Sequence, residues 1–132
     1  MLLETHQLTK RYHDNGGVVA VDHADIQVDA GETVGFFGES GSGKTTLGMM
    51  IAGLVKPDSG DTLFHGEKIR MNYRGETRRR IQILFQHPET SFNPELILLR
   101  SMTEPYKHYH LPYTYASMLE YLKRFGIYEE HL

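Results

Sequence analysis

The chain has 132 residues, enough for one compact domain, and its 14 basic and 17 acidic residues give a formal net charge of −3, which provides no global pull toward nucleic acid or anionic lipid. It contains no cysteine, which excludes a disulfide framework and a thiolate metal site. The opening Met1-Leu2-Leu3-Glu4 lacks the basic and apolar stretches of a signal peptide, and no apolar run approaches the roughly 20 residues of a membrane span, so the expectation is a soluble, cytoplasmic chain that reaches a membrane only through a partner.

Residues 2–8 alternate loosely and lead into Thr9-Lys10-Arg11-Tyr12, which predicts a strand ending near the tyrosine. Asp14-Asn15-Gly16-Gly17 is a turn signal. Val18 to Val28 then alternates through Val19, Val21, Ile26 and Val28, predicting a second strand antiparallel to the first. Asp29-Ala30-Gly31-Glu32 is the next turn. It feeds Thr33-Val34-Gly35-Phe36-Phe37, a short apolar run that reads as a buried strand. Tyr12 has two readings at this point: an aromatic able to stack on a purine ring, or a tyrosine at the wet end of a strand.

Gly38-Glu39-Ser40-Gly41-Ser42-Gly43-Lys44-Thr45-Thr46 fits the P-loop pattern G-x-x-x-x-G-K-[ST]. A polyphosphate needs many donors at close range, and backbone N–H groups supply them only where no side chain intervenes. Gly38, Gly41 and Gly43 allow the chain to wrap into such a nest. The following helix aims its N-terminal amides at the phosphates, Lys44 adds a point charge, and the Thr45 hydroxyl is placed to ligate Mg²⁺. Leu47, Met50, Ile51 and Leu54 fall on one face of that helix. Strand, glycine loop and helix thus occur in the order the motif requires, against the alternative of a glycine-rich turn that happens to carry Lys-Thr.

Pro57-Asp58-Ser59-Gly60 reads as a turn, and Asp61 to His65 with the residues near Ile69 as further β structure. Arg70, Arg74, Arg78, Arg79 and Arg80 read as a solvated face or loop rather than a phosphate or RNA site. Arg80 to Phe85 predicts a strand with Ile81, Ile83 and Phe85 on one face, stopped at Gln86-His87-Pro88. Ser91-Phe92-Asn93-Pro94 is a loop. Glu95 to Thr103 reads as a helix that Pro105 ends. Pro112 and Thr114 open a last helix whose stripe is Tyr115, Met118, Leu119, Leu122 and Phe125, closed by Gly126. Among the eight histidines only His108-x-His110 is tightly spaced, without a third ligand in a recognisable pattern.

Taken together, Tyr12, the P-loop and Ile81-Gln82-Ile83-Leu84-Phe85-Gln86 resemble the first half of an ATP-binding cassette (ABC) transporter ATPase domain. The resemblance implies that Tyr12 stacks on adenine and that Gln86 is the Q-loop residue, which senses Mg²⁺ and the γ-phosphate beside the contact with the membrane subunit. Gln86-His87-Pro88-Glu89-Thr90-Ser91-Phe92-Asn93-Pro94 is similar to the Gln-Asp-Pro-x-x-Ser-x-Asn-Pro stretch of dipeptide, oligopeptide and nickel importers, with His87 where that sub-family usually has Asp. Glu104-Pro105 and Phe125-Gly126-Ile127 extend the likeness.

What the resemblance implies is an α/β P-loop NTPase core with antiparallel strands, followed by the start of a helical subdomain: residues 1–88 as nucleotide-binding core, 89–132 as Q-loop and helical segment. It implies ATP and Mg²⁺ as cofactors. As partners it implies transmembrane permease subunits and a second ATPase subunit at the inner face of the cell membrane, with no nucleic acid. The signature motif, the acidic strand end that holds Mg²⁺ and the switch histidine are not found after Lys44. The expectation is therefore an N-terminal portion of the domain that binds Mg-ATP weakly and turns it over negligibly. Two other readings are a small P-loop kinase, supported by Arg78–Arg80 alone, and a non-catalytic interaction module that keeps the loop without using it.

Overall fold

The computed structural model describes residues 1–13, 17–88 and 92–132. The chain divides into two units, Met1–Ile83 and Leu84–Leu132. The predicted turn at Asp14-Asn15-Gly16 lies outside the described residues.

The first unit is built on a four-stranded antiparallel sheet of order β2-β1-β3-β4. β1 is Leu3–Tyr12, β2 Val18–Val28, β3 Ser59–Phe64 and β4 Glu67–Lys68. β1 pairs with β2 from Leu3↔Val28 to Tyr12↔Val18, as the alternation predicts. β1 alternates only loosely because it is bulged. Gln7 takes φ 49°, and its backbone N–H donates to the Asp25 carboxylate at 2.6 Å. At the bulge two consecutive residues, Leu8 and Thr9, are both buried. Gly60 of β3 fits against it because a Cβ there would stand 2.4 Å from the Gln7 carbonyl oxygen and 2.5 Å from that of His6.

Helix α1, Lys44–Ile51, lies on this sheet. Met50 joins Leu8 and Val21 in the buried core, with Ala24, Leu47 and Val55 packed around them. Each such side chain contributes about 1.5–3 kcal/mol by leaving water. The helix stops a turn earlier than the apolar stripe suggests. Gly53 at φ 66° ends it, so Leu54 lies beyond the helix. A short helix α2, Gly75–Arg80, carries Arg78, Arg79 and Arg80 in its last turn. Arg78 stacks on Tyr73, 5.7 Å from the ring centroid.

Two predicted strands are not strands. Thr33–Phe37 and the run after Arg80 have no ladder partner among the described residues; Arg80 closes α2, and the chain merely turns extended at Ile81. A strand needs a hydrogen-bonded neighbour, and apolar alternation does not supply one. Phe37 is 97% exposed and Leu84 84% exposed, apolar side chains with nothing over them.

The second unit holds α3, Leu98–His108, and α4, Tyr115–Lys123, followed by a 3₁₀ turn at Glu129–His131. α3 starts three residues later than expected and runs through Pro105. The proline forfeits one ladder bond, but Tyr109 N–H to Pro105 O (3.0 Å) and Leu111 N–H to Tyr106 O (2.8 Å) close the turn after it. α4 begins at a Thr114–Ser117 capping box and buries Met118 and Leu122. It ends as the sequence predicts: Gly126 at φ 73° donates to Lys123 O, and Ile127 donates to Leu122 O, a Schellman closure.

Candidate functional site

The loop from Gly38 to Thr46 is held to the sheet at its last glycine. Gly43 has φ 88°, and a Cβ there would stand 1.9 Å from the carbonyl oxygen of Ala20 in β2. Only glycine allows both the left-handed backbone and that approach. Gly43 is also the N-cap of α1 and makes no side-chain cap bond, so the first amides of the helix face the loop uncapped. At the other end of the motif, a Cβ on Gly38 would meet Ser42 Oγ at 2.7 Å. Gly41, at φ 82°, turns the chain between them.

Lys44 reaches back across this concavity. Its ammonium donates to Gly38 O at 2.8 Å, Glu39 O at 2.7 Å and Ser42 Oγ at 3.0 Å. All three ammonium protons are thus spent on the loop itself. Glu39, Ser40 and Gly41 are exposed, Thr46 is half-buried, and the Thr45 side chain is exposed at the first turn of α1. A glycine loop leading into a helix N-terminus, the Lys44 ammonium reaching back across it and a hydroxyl at the helix start form a donor set suited to a polyphosphate with a divalent cation.

The β1–β2 pairing brings Tyr12 to this loop. Tyr12 pairs with Val18, two residues along β2 from Ala20. At about 3.3 Å per residue, that is roughly 7 Å along the strand from the point where Gly43 is seated. The Tyr12 ring is 38% exposed. Lys10 covers it, with Nζ 5.5 Å from the ring centroid, and the same ammonium pairs with Asp58 at 3.0 Å. The other Asp58 oxygen accepts the Arg11 backbone N–H at 2.7 Å. That hydrogen bond, reinforced by Lys10, holds the Asp58 carboxyl below its ordinary range. Nothing in the motif pattern marks Asp58, which reads in sequence only as a turn residue; the contact spans 47 positions and is made by the fold.

Gln86 belongs to the second unit, where it is exposed at a bend, and residues 81–85 just before it are not a strand. Residues 89–91 of the Gln86–Pro94 stretch lie outside the described residues, while Asn93 Oδ1 accepts the Glu95 N–H at 2.9 Å. No group of three or more His, Asp or Glu able to hold a metal occurs among the described residues, and none of their helices is long and apolar enough to cross a membrane.

Comparison with known proteins bears on what this geometry serves. The family model of the ABC transporters matches residues 21–131, a span that begins after Tyr12. The nickel import ATP-binding protein NikE of Pseudomonas putida is 35% identical over 117 residues, covering 81% of this chain and 42% of that protein. The probable peptide ABC transporter ATP-binding protein y4tS of Sinorhizobium fredii is 39% identical over 119 residues, covering 82% of this chain and 34% of that protein. Among solved structures, the dimeric post-hydrolysis state of the ATP-binding cassette MJ0796 bound to ADP and Pi superimposes with a TM-score of 0.73 at 25% identity, over 98% of this chain and 60% of that one. The chain therefore spans less than half the length of these curated relatives.

Proposed function

Since the chain belongs to the ABC transporter family, as an ATP-binding domain homologous to peptide and nickel import ATPases, we propose that its loop binds the phosphates of Mg-ATP for such an importer. The observation that carries the proposal is the seating of Gly43 on Ala20, which fixes a glycine cradle with Lys44 across it at the start of a helix. The amides of residues 38–46 take the phosphate oxygens, Lys44 exchanges its loop carbonyls for phosphate, and Tyr12 offers a ring to the base. Thr45 is the residue for Mg²⁺, which would neutralise phosphate charge when bound; Gln86, in the second unit, is proposed from the family likeness alone as the Q-loop residue. In the whole importer, permease subunits and a second ATPase subunit are the partners, and the chain sits at the inner face of the membrane through them.

Calorimetric titration of the chain with Mg-ATP, against Lys44→Ala, tests this reading: saturable binding weakened in the variant supports it, and no binding in either rejects it. Hydrolysis tests the catalytic side. The acidic strand end that the reaction needs is not found after Lys44, so turnover at background level is expected. A rate well above background that Lys44→Ala abolishes would reject that expectation.

A further inference from the structure

β1 and β3 pair only as far as Thr9↔Ser59, so Lys10, Arg11 and Tyr12 extend past the end of β3. At that point Asp58, one residue before β3 begins, takes the place of the missing strand. Its backbone N–H donates to Thr9 O at 2.9 Å, one carboxylate oxygen accepts the Arg11 N–H at 2.7 Å, and the other pairs with Lys10 Nζ at 3.0 Å. The clasp thus engages the three residues that lead into Tyr12, by main chain at Thr9 and Arg11 and by side chain at Lys10. Lys10 in turn lies over one face of the Tyr12 ring. A ring held in this way has its opposite face ready for a planar ligand and loses little rotamer freedom when one arrives.

We propose that Asp58 is a positioning residue for base recognition, holding the end of β1 and the Lys10–Tyr12 pair in the arrangement that receives adenine. This rests on the reading of Tyr12 and the P-loop as a nucleotide site. Asp58 does not touch the ligand; it acts through Lys10 and the Arg11 amide. Its effect therefore belongs to the base and not to the phosphates. The size expected for freezing one aromatic side chain in advance is about 2- to 10-fold in affinity.

The test compares two ligands, Mg-ATP and inorganic tripolyphosphate, by calorimetry on the full chain and on Asp58→Ala, Asp58→Asn, Tyr12→Ala and the Tyr12→Ala/Asp58→Ala double variant. Asp58→Ala is expected to weaken Mg-ATP by about 2- to 10-fold, to leave tripolyphosphate unchanged, and to have no further effect once Tyr12 is alanine. Asp58→Asn should lie between, since its amide oxygen still accepts from Arg11 but does not carry the charge that pairs with Lys10. Equal loss for both ligands, or an undiminished effect in the Tyr12→Ala background, overturns the proposal. If Asp58→Ala does not fold, Asp58→Asn and Lys10→Met carry the same comparison. A chain that binds both ligands but is indifferent to Tyr12→Ala overturns the proposal at the base while leaving the phosphate site standing. A chain that binds neither ligand overturns the nucleotide site itself.

Discussion

The ammonium of Lys44 stands 2.8 Å from the carbonyl oxygen of Gly38, so the two ends of the motif are joined through one side chain. The same ammonium also serves Glu39 O and Ser42 Oγ, which makes it a strut of the loop and, under the proposed function, its phosphate ligand. Lys44→Ala should therefore weaken Mg-ATP by about 10- to 100-fold, the range expected for losing charge-assisted hydrogen bonds. Titration calorimetry measures this directly. If neither ATP affinity nor thermal stability changes, the loop is a relic that takes no part in binding.

The seating of Gly43 makes a paired prediction with Gly48, five residues on. Gly43→Ala puts a Cβ 1.9 Å from a backbone oxygen at φ 88°, where no side chain can swing aside. The left-handed backbone alone costs about 1–2 kcal/mol, and moving β2 to relieve the clash costs more, so a loss of about 3 kcal/mol or more is expected. A Cβ at Gly48, inside α1, meets nothing within 4 Å. Gly48→Ala should stabilise the chain by about 0.5–1 kcal/mol through helix propensity. Urea unfolding of both variants decides the matter. Equal effects would mean that the contact with Ala20 does not govern the loop.

These two glycines also mark where sequence suffices. Gly43 is legible because a P-loop motif specifies its own local geometry, and the β1–β2 pair and the Thr114-to-Gly126 helix are legible for the same reason: their alternation and cap signals lie within a few residues of the structure they form. What is not legible depends on distant chain. Thr33–Phe37 has the apolar content of a strand, but pairing is a property of two segments, and it has no ladder partner among the described residues. The bulge at Gln7 depends on Asp25 and Gly60, and the clasp at Arg11 on Asp58. Pro105 misleads in the other direction, since the bonds after it carry the helix on. The site divides the same way: motif spacing identifies the P-loop, whereas the Asp58 clasp on the residues leading into Tyr12 is visible only in three dimensions.

In the second unit the Tyr115 hydroxyl donates to Glu129 Oε1 at 3.0 Å, tying the first residue of α4 to the 3₁₀ turn that follows it. That hydrogen bond to a carboxylate raises the phenol above its ordinary value of 10.0, because the bond requires the proton. The resulting stability is complete below about pH 10 and is lost as the pH rises through the higher folded value. Tyr115→Phe should remove this contribution at neutral pH and make the two proteins converge in melting temperature at strongly alkaline pH. A difference in melting temperature that does not change with pH would show that the hydroxyl acts by packing and not by donating its proton.

Asp58 gives the opposite limb. The Arg11 N–H first, and Lys10 second, favour its ionised form, so its folded pKa lies below the ordinary 3.8. A depressed folded pKa means that the unfolded chain binds the proton first. The stabilisation is therefore complete well above pH 3.8, begins to fall as the pH approaches that value, and is gone once the pH drops below the folded pKa. Melting temperatures of the wild-type chain and Asp58→Asn should differ at neutral pH and draw together as the medium is acidified below pH 3.8 and through the folded pKa, because the wild-type carboxyl then becomes neutral itself. Under the proposed positioning role, the preference for Mg-ATP over tripolyphosphate should decline over the same acid range. A gap in melting temperature that persists undiminished at low pH would mean that Asp58 stabilises the chain by its shape alone, and the electrostatic half of the clasp would be wrong.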